Sequence, residues 1–578
     1  MADSRSHHGR GALGRLTKHR TGSRPVMNRR PAEQGLSIGA YLIHRLADYG
    51  IGHVFGLPGD YVLAFYSMLE HSPLELVSCT REDCAGFAAD AYARVHGMGA
   101  VCVTYGVGGL SLANSIAGAY AEQSPVVVIS GATGLKERVN NPLLHHRVRG
   151  WNTQLEVFDK LCAVSLELND PVTAYRDIDY ALDTAHRTKR PVYLELPRDL
   201  VDIVPEQPRS FAPLPVVSDP AVLAEAVREA VSRIEAAKQP VIVAGVELHR
   251  YGLQAETLAL AETAGIPITA SMLAKSVISE VHPLYLGLYE GAMGRAEISR
   301  FVEESDCVIL LGTMLTDVNL GIFTAKIDLA HSMLATSEEL RISHHHFHDV
   351  LLEDFIHGLA AARPKARQQT LPPGPTAAHG AFQLEPDRPI TTTRLVRRLD
   401  ESLDDQTIVI ADVGDALFAS SELVIRGQTE FLSPAYYTSM GFAVPAALGA
   451  KMARPELKVV ALVGDGAFQM TGMELSTLVK HQLPVTVIVL DNGGYGTERL
   501  IHEGGFNDIN PWQYQLLPQV LGGGVGYEVR TEGEFDAAIS RALADAAGLS
   551  LIRVHIGPDD HSLTLDRLGA GLAKIVRS

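Results

Sequence analysis

Short, continuously apolar runs recur along this chain, separated by stretches with helical spacing. Between residues 35 and 205 they are HVFGLPG, LELVSC, AVCVTYG, PVVVISG and PVYLELP. A second group holds PVIVAG, IPITAS and CVILLG, and a third holds TIVIAD, KVVALVGDG, VTVIVLDN and LSLIRVHI. Runs this short, without polar alternation, predict strands buried on both faces, hence parallel sheets with helices on either side. The Pro-rich segments VPEQPRSFAPLPVVSDP and RPKARQQTLPPGPTAAHGAFQLEPDR separate the groups. The pattern predicts an α/β protein of three doubly wound parallel-sheet domains, at 35–205, 218–362 and 389–570. A linker is expected at 363–388, and a disordered basic extension at 1–34.

Length and charge sharpen this picture. A chain of 578 residues exceeds what one hydrophobic core organises. Of the net charge of −17, residues 1–30 contribute +7, so the remainder carries −24. Such an acidic body argues against nucleic acid, whose phosphates need clustered cations. No apolar run approaches the length of a membrane span. Five cysteines without CxxC spacing read as reduced thiols, which places the protein in the cytoplasm.

The candidate chemistry concentrates at the ends of the third group's runs. KVVALV leads into Gly464-Asp465-Gly466, and VTVIVL leads into Asp491-Asn492. Asp465 and Asn492 stand 27 residues apart, the length of one βαβ crossover, so the spacing sets them on neighbouring strand ends. A carboxylate and an amide there suit a hard cation such as Mg²⁺ that takes its remaining oxygens from phosphate and water. Adjacent glycines let backbone approach those phosphates.

GDG followed by DN at this distance resembles the cofactor motif of thiamine-diphosphate-dependent enzymes, and from Gly35 onward the chain is most similar to the 2-oxo-acid decarboxylases. The resemblance implies thiamine diphosphate and Mg²⁺ as cofactors. It implies that the first and third domains are homologous folds, gripping the aminopyrimidine and the diphosphate. The cofactor would then lie between the first domain of one subunit and the third of its partner, in a homodimer or homotetramer. The substrate would be a small 2-oxo acid, released as an aldehyde and CO₂.

The resemblance also assigns residues. Glu82, opening a helical pattern after LELVSC, would hydrogen-bond the pyrimidine ring and so activate the cofactor. Asp60 in FGLPGDY, the tandem His145-His146 in NPLLHHRV, and Glu498 in DNGGYGTE would form the proton-relay set. Acetohydroxyacid synthases and other carboligases generally lack the histidine pair. Asp465, Asn492 and the Gly494 backbone would hold the metal. Gly414, Thr438, Met440, Gly466, Ala467 and Tyr495 would line the cofactor, with Met440 as its apolar prop. The glycine turn Gly106–Gly109 would border the pyrimidine.

Departures from the family pattern carry information. Asp415 and Ala467 stand where many members have hydroxyls near the diphosphate, so Asp415 is expected to turn away from phosphate. Val246-Glu247 stands where some pyruvate decarboxylases carry a regulatory cysteine. Thr497 replaces a bulkier aliphatic residue, which favours an aryl or branched 2-oxo acid. The run His344, His345, His346, His348 is expected to be a solvated turn beyond the middle domain. A carboligase resembling acetolactate synthase, or a non-catalytic relative, are the alternative readings.

Overall fold

The computed structural model of the protein describes residues 35–366, 368–378, 381–427 and 429–576. The basic extension expected at 1–34 lies outside the described residues. Three sheets organise the rest. The first contains β1 (His53–Gly56), β2 (Glu75–Ser78), β3 (Gly99–Val103), β4 (Val126–Ala132), β5 (Val164–Glu167) and β6 (Val192–Pro197), in the order β2-β1-β3-β4-β6-β5. Every pairing in it is parallel. The third contains β14 (Thr407–Ala411), β15 (Phe431–Leu432), β16 (Lys458–Gly464), β17 (Thr486–Asp491), β18 (Val525–Val529) and β19 (Ser550–His555), in the order β15-β14-β16-β17-β19-β18. It too is parallel throughout. Renumbered from one, the two orders are identical. In both, the order reverses between the first and third strands, which opens a crevice at their carboxyl ends.

The middle sheet runs β7 (Pro240–Ala244), β8 (Ile268–Ala270), β9 (Tyr285–Leu288), β10 (Cys307–Leu311), β11 (Ser332–Ala335), β12 (Leu340–Ile342) and β13 (His345–Phe347), in the order β13-β12-β11-β10-β7-β8-β9. It is mixed, because β12 pairs antiparallel with both β11 and β13. This corrects the reading of the histidine run. His345 and His346 belong to β13, the outermost strand of the middle sheet, and His345 Nδ1 lies 3.0 Å from Glu229. A tight hairpin folds this polar segment back onto the sheet edge, where its exposed side chains need no apolar run.

The first and third sheets share one apolar core. Val101, Val103 and Val128 of the first pack in the same cluster as Ile408, Val459, Val463 and Val487 of the third. Two helices, Glu82–His96 and Ala443–Ala453, pack against each other within it. Both are rich in Ala and Gly, which lets the backbones approach closely. A Cβ added to Gly449 would stand 2.0 Å from the Ala88 carbonyl oxygen. Ala ordinarily stabilises a helix relative to Gly. Here Gly449→Ala instead lowers stability by about 1–3 kcal/mol, read as a fall in thermal midpoint.

Buried charge ties the same junction together. Arg94 pairs with Asp90 and Glu122, each at 2.8 Å. Glu122 also accepts the backbone N–H groups of Tyr436 and Tyr437 at 2.8 Å. A charge left here without its partner would carry a heavy desolvation cost. The network fixes where the 436–440 segment begins.

Candidate active site

Three neighbouring strands of the third sheet, β14, β16 and β17, end side by side. β16 delivers Asp465 to the first position of the Asp465–Thr471 helix, and β17 delivers Asn492. Asp465 is 1% exposed. One of its oxygens accepts from Gly466 N–H at 2.7 Å, and the other from Gly493 at 2.7 Å and Gly494 at 3.1 Å. Asn492 Oδ1 also accepts from Gly494, at 3.3 Å. Burial pushes the Asp465 carboxyl up to about 7. Gly494 sits at φ +151, and a Cβ there would lie 2.0 Å from the Asn507 carbonyl. No other residue fits that crossing. Gly464 and Gly493 are the reverse: a Cβ on either meets nothing within 4 Å. The space beside the carboxylate is therefore open.

The segment after β14 completes this edge. Asp412 is fully buried and accepts from Val413 (3.0 Å), Gly441 (3.1 Å) and Ala443 (2.8 Å). It clamps the 438–441 turn, in which Thr438 takes φ +55 and Met440 stands 37% exposed. Gly414 caps the next helix beside Thr497. Tyr495 packs its ring over Gly466, and Ala467 is buried in the shared core. Asp415 turns toward the C-terminal helix Leu563–Val576, accepting from the Ser562 N–H at 2.9 Å and from the Ser562 hydroxyl. Burial pushes its carboxyl up to about 6.

At the first sheet's edge, five successive strands, β2, β1, β3, β4 and β6, lead into Glu82, Asp60, Gly106–Gly109, the segment holding His145-His146, and Arg198. Glu82 opens its helix and faces the glycine turn, with Oε1 3.6 Å from where a Gly108 Cβ would stand. Asp60 Oδ2 lies 2.6 Å from His145 Nε2, and Oδ1 lies 3.9 Å from His146 Nε2. The three ligand-type atoms gather within 4.8 Å. Arg198 stands 3.9 Å from Asp60, stacks 4.8 Å over the Tyr61 ring and pairs with Glu137. That pairing holds the Glu137 carboxyl below its ordinary value.

The fold thus brings Asp60, His145 and His146 into direct contact, and does the same for Asp465, Gly466, Asn492 and Gly494. Among the described residues, no hydrogen bond or ion pair joins one group to the other. Glu498, on the Gly496–Ile501 helix, is exposed and belongs to the third sheet's edge. Reading the sequence missed Asp412, Arg198 and Glu137. Asp412 carried a signal, since it ends the run TIVIAD just as Asp465 follows KVVALV. Arg198 directly follows PVYLELP. Glu137 sits in an irregular stretch with no such mark.

Comparison with known proteins agrees with this geometry. Residues 36–155, 227–339 and 412–554 match the N-terminal thiamine pyrophosphate-binding, central, and C-terminal thiamine pyrophosphate-binding domains of the thiamine pyrophosphate enzymes. The chain is 35% identical to indole-3-pyruvate decarboxylase of Azospirillum brasilense, over 92% of this chain and 98% of that protein. It is 31% identical to pyruvate decarboxylase 1 of Pisum sativum, over 94% of each. It is also 31% identical to the alpha-keto-acid decarboxylase of Mycobacterium avium, over 90% of this chain and 94% of the relative. The chain belongs to the family of thiamine-diphosphate-dependent 2-oxo-acid decarboxylases.

Proposed function

We propose that this protein carries out the non-oxidative decarboxylation of a 2-oxo acid to an aldehyde and CO₂. The observation that carries the reading is the Asp60–His145–His146 cluster on the same sheet edge as Glu82. When bound, thiamine diphosphate supplies the electron sink that lets the carboxylate of a 2-oxo acid leave as CO₂. The third sheet's edge fits its diphosphate: a buried carboxylate, held by backbone N–H groups alone, beside open space at Gly464 and Gly493. Asp465, Asn492 and the Gly494 carbonyl would hold Mg²⁺ there. Gly414, Gly466, Ala467 and Tyr495 would border the phosphates, while Thr438 and Met440 would support the rings.

The remaining work falls to protons. Glu82 would hydrogen-bond the pyrimidine ring, and its place against the glycine turn supports that role. His145 and His146 are suited to proton delivery, because an imidazole can both give and take a proton. Asp60 is hydrogen-bonded to His145 and lies within ion-pair range of His146 and Arg198. Glu498 would face the substrate carboxylate. Asp60→Asn is expected to lower kcat by about 10²-fold while thiamine diphosphate binding stays unchanged, measured by single-turnover kinetics and fluorescence titration. Thr497, in place of a bulkier aliphatic side chain, supports an aryl or branched substrate such as phenylpyruvate or indolepyruvate.

The reading includes a homo-oligomer. Val107 (54% exposed), Tyr436 (38%) and Met440 (37%) leave apolar surface at both edges. The two groups of site residues are unlinked within one chain, so a second copy would complete each site. All five cysteines are unpaired and buried, which supports a reducing compartment and hence the cytoplasm. No helix among the described residues is long and apolar enough to cross a membrane.

The test supplies thiamine diphosphate, Mg²⁺ and a series from pyruvate to indolepyruvate, with and without an acceptor aldehyde. Free aldehyde and CO₂ are expected, with the aryl acids giving the higher kcat/KM. A ligated hydroxyketone as the main product would establish the carboligase alternative.

A further inference from the structure

Behind the glycine turn lies a buried polar chain that the proton-relay set does not use. Gln154 is the second residue of the Thr153–Phe158 helix and is 2% exposed. Its Oε1 accepts from Gly106 N–H at 2.7 Å. Its Nε2 donates to Ser130 Oγ at 2.8 Å and to Tyr193 Oη at 2.5 Å. Tyr193 in turn donates to Glu195 at 2.6 Å, and Ser130 donates to the Gly131 carbonyl at 2.9 Å. Ser130 belongs to β4, and Tyr193 and Glu195 belong to β6, two adjacent interior strands of the first sheet. Both N–H groups of the amide and one acceptor site of its oxygen are in use, which holds the carboxamide in one position.

That position bears on both parts of the proposed chemistry. Gly106 takes φ +71 and ψ −93, and a Cβ there would lie 2.4 Å from the His146 carbonyl oxygen. A Cβ on Gly109 would lie 2.3 Å from the Gln154 carboxamide. The turn is thus pressed between Gln154 and His146, and two residues later, at Gly108, it faces Glu82. We propose that Gln154 is a positioning residue: through the 106–109 turn it sets the placement of His146 and of Glu82 together. A buried N–H that loses its acceptor forces local rearrangement. Displacements of about 1 Å at a reacting centre can cost about 10²-fold in rate.

This inference rests on the decarboxylase reading, and one experiment separates the two. The full-length protein, loaded with thiamine diphosphate and Mg²⁺, is assayed first as wild type. If it releases no aldehyde, the decarboxylase reading fails. Q154M keeps the volume and removes the hydrogen bonds. It is expected to lose at least about 10-fold in kcat and in hydrogen–deuterium exchange at C2 of the bound cofactor, with KM within about 3-fold. Q154E keeps an acceptor for Gly106 and is expected to recover most of that loss. Wild-type kcat and exchange in Q154M would overturn the proposal. Should Q154M fail to fold, Y193F decides by removing one hydroxyl from behind the amide. A fall of about 3-fold or more in kcat at constant KM supports the proposal, and wild-type values overturn it.

Discussion

Asp465→Ala is expected to abolish retention of thiamine diphosphate and with it all activity, leaving the folded chain intact. Asp465 is buried, and its hydrogen-bond partners are the backbone of its own turn and of the Gly493–Gly494 turn. Removing it would take away the proposed metal ligand and uncouple the ends of β16 and β17. Equilibrium dialysis or calorimetry with thiamine diphosphate and Mg²⁺ should show no binding at concentrations that saturate the wild type.

A pH signature follows from the same carboxyl. Its folded value, pushed up to about 7, lies above the ordinary 3.8. Between those values the cofactor-free folded chain binds the extra proton, so its stability is fully present below the unfolded value and falls as pH rises toward 7. A divalent cation requires the ionised form. Cofactor affinity should therefore climb with pH across this window and level off above about 7. Thermal midpoints without cofactor and Mg²⁺ titrations at several pH values read the two slopes. Asp465→Asn should flatten its share of both, whereas an unchanged titration curve would remove Asp465 from the proposed metal site.

Glu82→Gln is expected to separate chemistry from binding. The proposed diphosphate contacts lie on the third sheet, so affinity for thiamine diphosphate should change by less than about tenfold. Loss of a positioned proton-transfer group costs roughly 10²–10⁴ in rate, and the whole loss should fall on kcat. Exchange at C2 of the bound cofactor, followed by NMR, should slow in proportion. Wild-type exchange in this variant would remove Glu82 from cofactor activation. The neighbouring Cys84 offers a contrast. Burial raises its thiol well above the ordinary range, so it stays protonated and is unsuited to nucleophilic work.

Much of the fold was legible because strands buried on both faces must be apolar at every position. The runs read as strands, such as those of β3, β4, β10, β16 and β17, are central ones covered by helices. β5, β9, β13, β15 and β18 escaped notice, and each is outermost in its sheet; β11 and β12, inside the middle sheet, escaped as well, whereas the outermost β2 was read from LELVSC. β5 is half-exposed along its length and β18 is mostly exposed, so neither needs a continuous apolar signal. Asp465 and Asn492 were legible for a related reason: a strand end followed by glycine and an oxygen ligand is a local pattern. The Arg198–Glu137 pair was not, because its members come from segments 61 positions apart and meet only when β4 and β6 lie side by side.

The sequence by itself determined the order of elements and the oxygen, imidazole and carboxyl groups placed at strand ends, since both follow from which side chains tolerate burial and which turns need glycine. The tertiary structure decided which of those groups meet. Asp415 turned to Ser562 because the C-terminal helix returns across the third sheet's edge, and Gln154 reached Gly106 because β3 and β4 are neighbours. Contacts of that kind depend on the three-dimensional return of the chain, and no local preference of the residues encodes them.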